Sequence, residues 1–488
     1  MQPVPSSGTS SPAPWLTLWS LREDTLLEEQ PQDDSLLLRS RWGDLRIPHP
    51  GPVLAETLRR MLLGPIQLEN VPGTDELSAQ VRLLAALRQL RGMVVRSVGA
   101  PDGSRPLLSV VPVRAGALLD PQPVPEDRLL RLSRFAVLRS TGRGTLLESP
   151  LSAFSAAFSR PEAGWLLASL GRPVTLEQAA GRLPIPPAAA SALVAHLVAT
   201  GMVEFAEHGA EAHNASFGED RDPVLLPWSP HDLRFHWSSR PGLHDRPVGA
   251  TFRLRGRQEQ PPALKPLPAG PRIPLPRPAP GTPPWDLPLT EALERRRSVR
   301  RYGEQRMTLG RLGDLLYHAL RVREADGGRE DAGAQSRPYP SGGACYELEC
   351  YLTVGRCAGL EAGSYAYDPL GHALIRLSGD PELDRTMLRE AQTCAGAEDP
   401  PDVLLTLAAR FARVSWKYSG LAYALTLKHV GVVQQTLYLL ATAMGLGGCA
   451  LGTGNTGLSA EAFGLDWRAE SAVGEFILGS LPAAAAVG

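Results

Sequence analysis

Between Arg295 and Arg301 the sequence places five arginines in seven residues, broken only by Ser298 and Val299. Like charges this close repel unless an anion sits among them. A planar guanidinium fork matches phosphate oxygens two at a time, and Ser298 adds a short hydroxyl donor. Arg296, Arg297, Ser298 and Arg300 are therefore candidates for gripping a phosphate, against the plainer reading of a solvated basic helix end favoured by the helix dipole. A second candidate is the stretch Pro340, Ser341, Gly342, Gly343 and Ala344. Its paired glycines let a backbone approach a flat ring that any Cβ would strike, while a simple turn before a strand reads equally well. A third is the run from Leu446 to Asn455, LGGCALGTGN. Gly445 just before it serves as a helix C-cap, but Gly447, Gly448, Gly452 and Gly454 need another reason, and a backbone lying against a ligand supplies one.

These residues need an α+β frame to hold them. The arginine run closes a short amphipathic helix that opens at Leu289, an apolar strand is predicted over Leu348 to Val354, and a long apolar helix over Leu421 to Met444. Upstream, the chain repeats itself: SLLLRS (Ser35 to Ser40) returns as FAVLRS (Phe135 to Ser140), GPIQLE (Gly64 to Glu69) as GRPVTLE (Gly171 to Glu177), and RGMV (Arg91 to Val94) as TGMV (Thr200 to Val203). Each copy reads as a strand, a helix (Val53 to Leu63; Ala153 to Ser169), a Gly/Pro turn, two further helices, a glycine and a β-branched strand. That is the order of a winged helix-turn-helix. The second copy's recognition-type helix, Pro187 to Thr200, has no Lys or Arg to meet phosphate, and Arg82, Arg88 and Arg91 of the first copy read as a solvated face, so no nucleic acid is expected. Such modules suit holding a protein or peptide, for instance by strand addition at the wing. The expected division is 1–105 and 106–207 for the two winged-helix-like modules, 208–288 for an irregular and Pro-rich linker, and 289–488 for the domain carrying the chemistry. His231, Asp232 and His236 lie in the irregular part, and their spacing does not put three ligands on one helical face, so no metal is expected.

Composition narrows the partners. Fifty Lys and Arg against 51 Asp and Glu leave a net charge of -1, so no global field draws the chain to nucleic acid or an anionic membrane. Met1 to Trp15 lacks a basic stretch ahead of an apolar core, and no long uncharged apolar run follows, which points to a cytoplasmic protein. The five cysteines form no C-x-x-C pair and read as buried free thiols.

In their order, the C-terminal motifs resemble those of the nitroreductase-like FMN flavoproteins, and within them the SagB-type azoline dehydrogenases of thiazole and oxazole peptide biosynthesis. The family's R-R-S-x-R phosphate clasp is matched by Arg296, Arg297, Ser298 and Arg300, and its P-S-G-G-A by Pro340 to Ala344, where general nitroreductases tend to carry Asn in place of Ala344. Q-x-L-Y-L-A-x-x-G-L-G resembles Gln435 to Gly447, and the following Ala450, Leu451, Gly452 and Thr453 would by resemblance line the flavin ring. An adjacent Lys-Tyr ahead of the long helix is matched by Lys417 and Tyr418. The likeness covers Leu289 to Leu481 and extends more weakly to the N-terminal repeats, since relatives carry peptide clamps of winged-helix type.

The resemblance implies FMN as cofactor, an antiparallel-rich sheet flanked by helices, and an intertwined homodimer in which the P-S-G-G-A loop reaches the partner's cofactor. It further implies oxidation of thiazolines or oxazolines in a ribosomally synthesised precursor peptide, beside a cyclodehydratase. Tyr418 would be the general base with Lys417 favouring its phenolate, or the roles exchange. His429, in the long helix, reads as a hydrogen-bonded, partly buried histidine. Two departures stand out. Gly454-Asn455-Thr456-Gly457 replaces an acidic pair, and the tail Gly479 to Gly488 lacks basic residues, which puts more of the phosphate charge on Arg296, Arg297 and Arg300. The competing readings are an NAD(P)H-dependent nitro- or quinone reductase, a flavin-sensing winged-helix regulator, and a non-catalytic scaffold.

Overall fold

In a computed structural model the described residues are 15–100, 105–181, 183–323, 336–377 and 379–482. The readings of the first fourteen residues and of the tail beyond Pro482 fall outside them. Two compact units divide the chain, Met1–Arg246 and Pro247–Gly488.

In the first unit both repeats feed one antiparallel sheet, in the order Leu16–Leu21, Val94–Gly99, Leu108–Pro112, Phe154–Phe158, Gly144–Glu148, Val137–Thr141. The repetition survives in the pairing. Leu16–Leu21 has Val94–Gly99 on one edge and a bridge from Trp19 to Ile66 on the other; Leu130–Leu132 likewise has Val203–Phe205 on one edge and a bridge from Leu130 to Val174 on the other. One expectation is corrected. The helix read over Ala153 to Ser169 begins only at Pro161, while Phe154–Phe158 is a strand paired on both sides. An Ala-rich stretch favours helix locally, but four of these five residues are buried, and pairing on both edges overrides propensity. The helix Pro187–Ala199 is mostly core, with Ala189, Ala190, Leu193, Val194 and Leu197 wholly buried. Burial there pushes His196 down to about 4.

The second unit is built on a seven-stranded antiparallel sheet: Arg272–Pro274, Ala373–Arg376, Gly363–Asp368, Leu348–Val354, Val403–Arg410, Glu470–Ser480 and Leu446–Leu451. Helices Leu309–Leu320 and Ala422–Ala443 cover one face, burying Leu315, Leu316, Val433 and Leu437 against Leu405 and Phe476. Helices Pro381–Ala395 and Thr456–Phe463 cover the other, with Met387, Leu388 and Phe463 on Leu404 and Ile477. The central strands are therefore near-continuous apolar runs, since both faces are inside.

The stretch read as linker is corrected too. Pro230–Ser238 is a helix capped by the Ser229 hydroxyl. The Pro-rich tract does not hang free. It is strapped to the second unit: the Gln258, Pro261, Pro262 and Ala263 carbonyls accept from Trp416, Arg413 and Arg410, Lys265 pairs with Glu470 at 2.6 Å, and Arg272–Pro274 forms the sheet edge. Prolines lack donors but keep acceptors, so such a tract binds through its carbonyls to donor side chains.

Candidate functional site

The long helix Ala422–Ala443 carries two groups of candidate residues, one near each end. At its C-terminal end the Tyr438 hydroxyl meets Ser298 Oγ at 2.8 Å and accepts from the Ala450 N–H at 2.8 Å, while the Arg296 guanidinium lies 5.2 Å from the Tyr438 ring centre. The helix Leu289–Arg295 ends as Arg296 donates to Ala292, and Val299 N–H then docks on Gly448 O, adding the arginine segment beside the strand Leu446–Leu451. Charge pairing divides the run. The outer arginines are neutralised, Arg295 by Glu291 and Arg301 by Glu398. Among the described residues Arg296, Arg297 and Arg300 have no acidic partner within 4.0 Å, and Arg297 and Arg300 are exposed. Three uncompensated guanidiniums beside a hydroxyl are a donor set that could hold an anion.

At the other end sits the glycine loop. His429 Nε2 accepts the Gly342 N–H at 2.7 Å, which leaves the proton on Nδ1 to donate to Glu347 Oε1 at 2.7 Å; Glu347 is fully buried. Ser341 Oγ accepts from Tyr346 N–H at 3.0 Å, and Arg413 holds the Cys345 carbonyl with two bonds of 3.0 and 2.9 Å. Gly343, at φ +62°, faces Lys417 and Tyr418 so closely that a Cβ there would stand 2.5 Å from Tyr418 Oη and 2.7 Å from Lys417 Nζ. Lys417 Nζ itself donates to Gly343 O at 3.4 Å. Burial, and then the neighbouring Cys345 thiol, hold the Tyr418 phenol above its ordinary value.

The structure thus joins Lys417 and Tyr418 to the Pro340 to Ala344 loop, and Arg296 and Ser298 to Ala450. It does not join the two groups: Tyr438 comes nine positions after His429, about 14 Å along the helix. Gln435 is exposed between them, and Leu451 points into the opposite core. The glycine-rich strand needs correcting in part. A Cβ on Gly447 would strike Val299 and one on Gly448 would strike Phe476, so both are packing glycines; one on Gly454 would strike the Glu475 carboxyl. Only Gly452 has open space beside it. Cys394 is exposed, against the expectation of buried thiols, and the other four cysteines are buried. Sequence reasoning missed Glu347 as the partner of His429, and Tyr438 as the hub of the arginine end. A carboxylate at the entry of the mostly apolar strand Leu348–Val354 was the available signal for the first.

Among the described residues no group of three His, Cys, Asp or Glu is arranged for a metal, and no helix is long and apolar enough to cross a membrane.

Residues 293–480 match the nitroreductase family, and residues 130–245 match the cyanobactin oxidase ThcOx family. A Methanocaldococcus jannaschii protein assigned as a nitroreductase is 32% identical over 167 residues, spanning 34% of this chain and 79% of its own. The chain belongs to the nitroreductase family. Among solved structures, one assigned as a nitroreductase from Ralstonia eutropha matches at 24% identity and a TM-score of 0.35, covering 45% of this chain and 97% of that one. The Escherichia coli microcin synthetase McbBCD complex, with truncated pro-MccB17 bound, matches at 22% identity and a TM-score of 0.31, over 42% of this chain and 76% of that one.

Proposed function

We propose that this oxidoreductase is an FMN-dependent dehydrogenase of the SagB type, converting peptide thiazolines or oxazolines to thiazoles or oxazoles during maturation of a ribosomally synthesised peptide. The observation that carries the reading is the Lys417 and Tyr418 pair packed on the Cβ-free backbone of Gly343. The match of residues 130–245 to an oxidase family supports oxidation over reduction.

FMN fits the donor set. Arg296, Arg297, Ser298 and Arg300 would hold its phosphate, and the Gly342 and Gly343 backbone with Ala450, Gly452 and Thr453 would flank its ring. Bound FMN supplies the acceptor for the hydride that leaves one azoline carbon. The chain's own part is the proton from the neighbouring carbon. Because partial burial holds the Tyr418 phenol above its ordinary value, the exchanged assignment is the better one: Lys417 would take the proton, and Tyr418 would donate a hydrogen bond to the ring. His429 and Glu347 fix the Gly342 amide, and so the height of the loop beneath the pair. The separation of the two groups along the long helix favours a homodimer in which each site takes its loop from the second copy. The winged-helix-like repeats of the first unit would hold the precursor peptide, in company with a cyclodehydratase.

A reductase drawing on NAD(P)H is the second reading, favoured by the family itself. Incubation of FMN-loaded protein with an azoline peptide separates the two. Loss of about two mass units per ring supports the first, and flavin bleaching by NADPH without peptide turnover supports the second.

A further inference from the structure

The segment just ahead of the Pro-rich strap is built onto the Lys417 and Tyr418 pair. Gly249 and Ser419 exchange both backbone hydrogen bonds, at 3.2 and 3.0 Å, and Phe252 N–H donates to Lys417 O at 3.1 Å. Thr251 Oγ1 meets Ser419 Oγ at 2.6 Å. The backbone is thereby pinned on both sides of Tyr418. Phe252 takes φ +51°, a left-handed conformation that is an outlier for a bulky side chain and persists only where its surroundings enforce it. The conformation has a visible result. The Phe252 ring stands edge-on to Trp416 with centroids 5.9 Å apart, and Lys417 Nζ lies 5.6 Å from its centre, while the Tyr418 ring centre is 5.8 Å from the same nitrogen. With the Gly343 carbonyl at 3.4 Å, the ammonium sits in a partial cage of two rings and one oxygen.

We propose that Phe252 is a positioning residue for the reaction, its ring fixing where the Lys417 amine is presented over Gly343. This rests on Lys417 acting on substrate, so its test needs a readout that does not depend on turnover. The chain offers one, since it contains only three lysines, Lys265, Lys417 and Lys428. Lys428 is exposed and serves as an internal standard.

The experiment measures acylation of each lysine in the full chain by an amine-reactive anhydride, read by peptide mass spectrometry, for the wild type, Phe252→Leu and Phe252→Trp. Losing the ring removes a cation–π contact and raises the Lys417 rate relative to Lys428 by about two- to five-fold, and Phe252→Trp restores the wild-type ratio. In azoline turnover Phe252→Leu lowers kcat with KM little changed. An unchanged Lys417 to Lys428 ratio in Phe252→Leu, with thermal unfolding as in the wild type, overturns the proposal. If Phe252→Leu unfolds, the decision passes to Phe252→Trp and Phe252→Tyr, either of which must keep the wild-type ratio. A wild type that labels as expected but turns over no azoline refutes the dehydrogenase reading and leaves the cage standing.

Discussion

On the proposed reading Lys417 and Tyr418 would divide the proton chemistry unequally, and substitution should show it. With the Tyr418 phenol held above its ordinary value by burial, Tyr418→Phe is expected to keep a measurable fraction of the rate, whereas Lys417→Met loses it by the 10²–10⁴-fold (about) typical of a missing acid–base group. Equal losses in steady-state turnover would return the base to Tyr418. Gly343→Ala adds a Cβ against both side chains at a left-handed φ, and is expected to cost about 1–3 kcal/mol in thermal unfolding along with activity. Glu475 gives a pH signature. Burial and then Glu390 raise its carboxyl to about 7, against the ordinary 4.5. The folded form therefore keeps this proton where the unfolded chain has released it. Stability is fully present below pH 4.5 and is lost as pH rises to about 7. Glu475→Gln removes the loss, so its stability advantage should grow through that window and level off above it, reaching on the order of 3 kcal/mol in pH-dependent unfolding.

The strap is the element whose role changed most between sequence and structure. Leu275, between the edge strand Arg272–Pro274 and the core, is buried, whereas Leu267 in the same tract is half exposed. In the full chain Leu275→Ala should cost about 2–5 kcal/mol in denaturant unfolding and Leu267→Ala within about 0.5 kcal/mol; equal small effects would make the tract a linker after all. Composition read this segment as linker because proline excludes helix. It says nothing about which donors will meet the carbonyls, and Arg410, Arg413 and Trp416 lie some 150 residues away in sequence. Phe154–Phe158 was misread for the same reason, since its strand state depends on partners at Leu108–Pro112 and Gly144–Glu148. What was legible was local and ordered: the long helix, the strand Leu348–Val354, and the repeat SLLLRS and FAVLRS, which opens corresponding hairpins. The candidate site was legible to the extent that motif order carries it. Gly447 and Gly448 were assigned to a ligand because sequence does not show Val299 and Phe476 filling the same space.

At the scale of the whole molecule, two compact units serve one proposed reaction. The first would hold a peptide, and the second would oxidise it once a flavin is bound and a second copy completes each site. On the proposed reading the arginine run would decide cofactor loading. Arg296→Ala with Arg297→Ala should weaken FMN retention by about tenfold or more per arginine in equilibrium dialysis, whereas Arg295→Ala and Arg301→Ala, which break only ion pairs, should leave it near wild type. The most direct test of the central claim is mass spectrometry of an azoline-containing peptide after incubation in air with the FMN-loaded full chain. The account predicts a loss of about two mass units per ring, abolished by Lys417→Met. A peptide of unchanged mass, beside a wild-type flavin that NADPH bleaches readily, would contradict it.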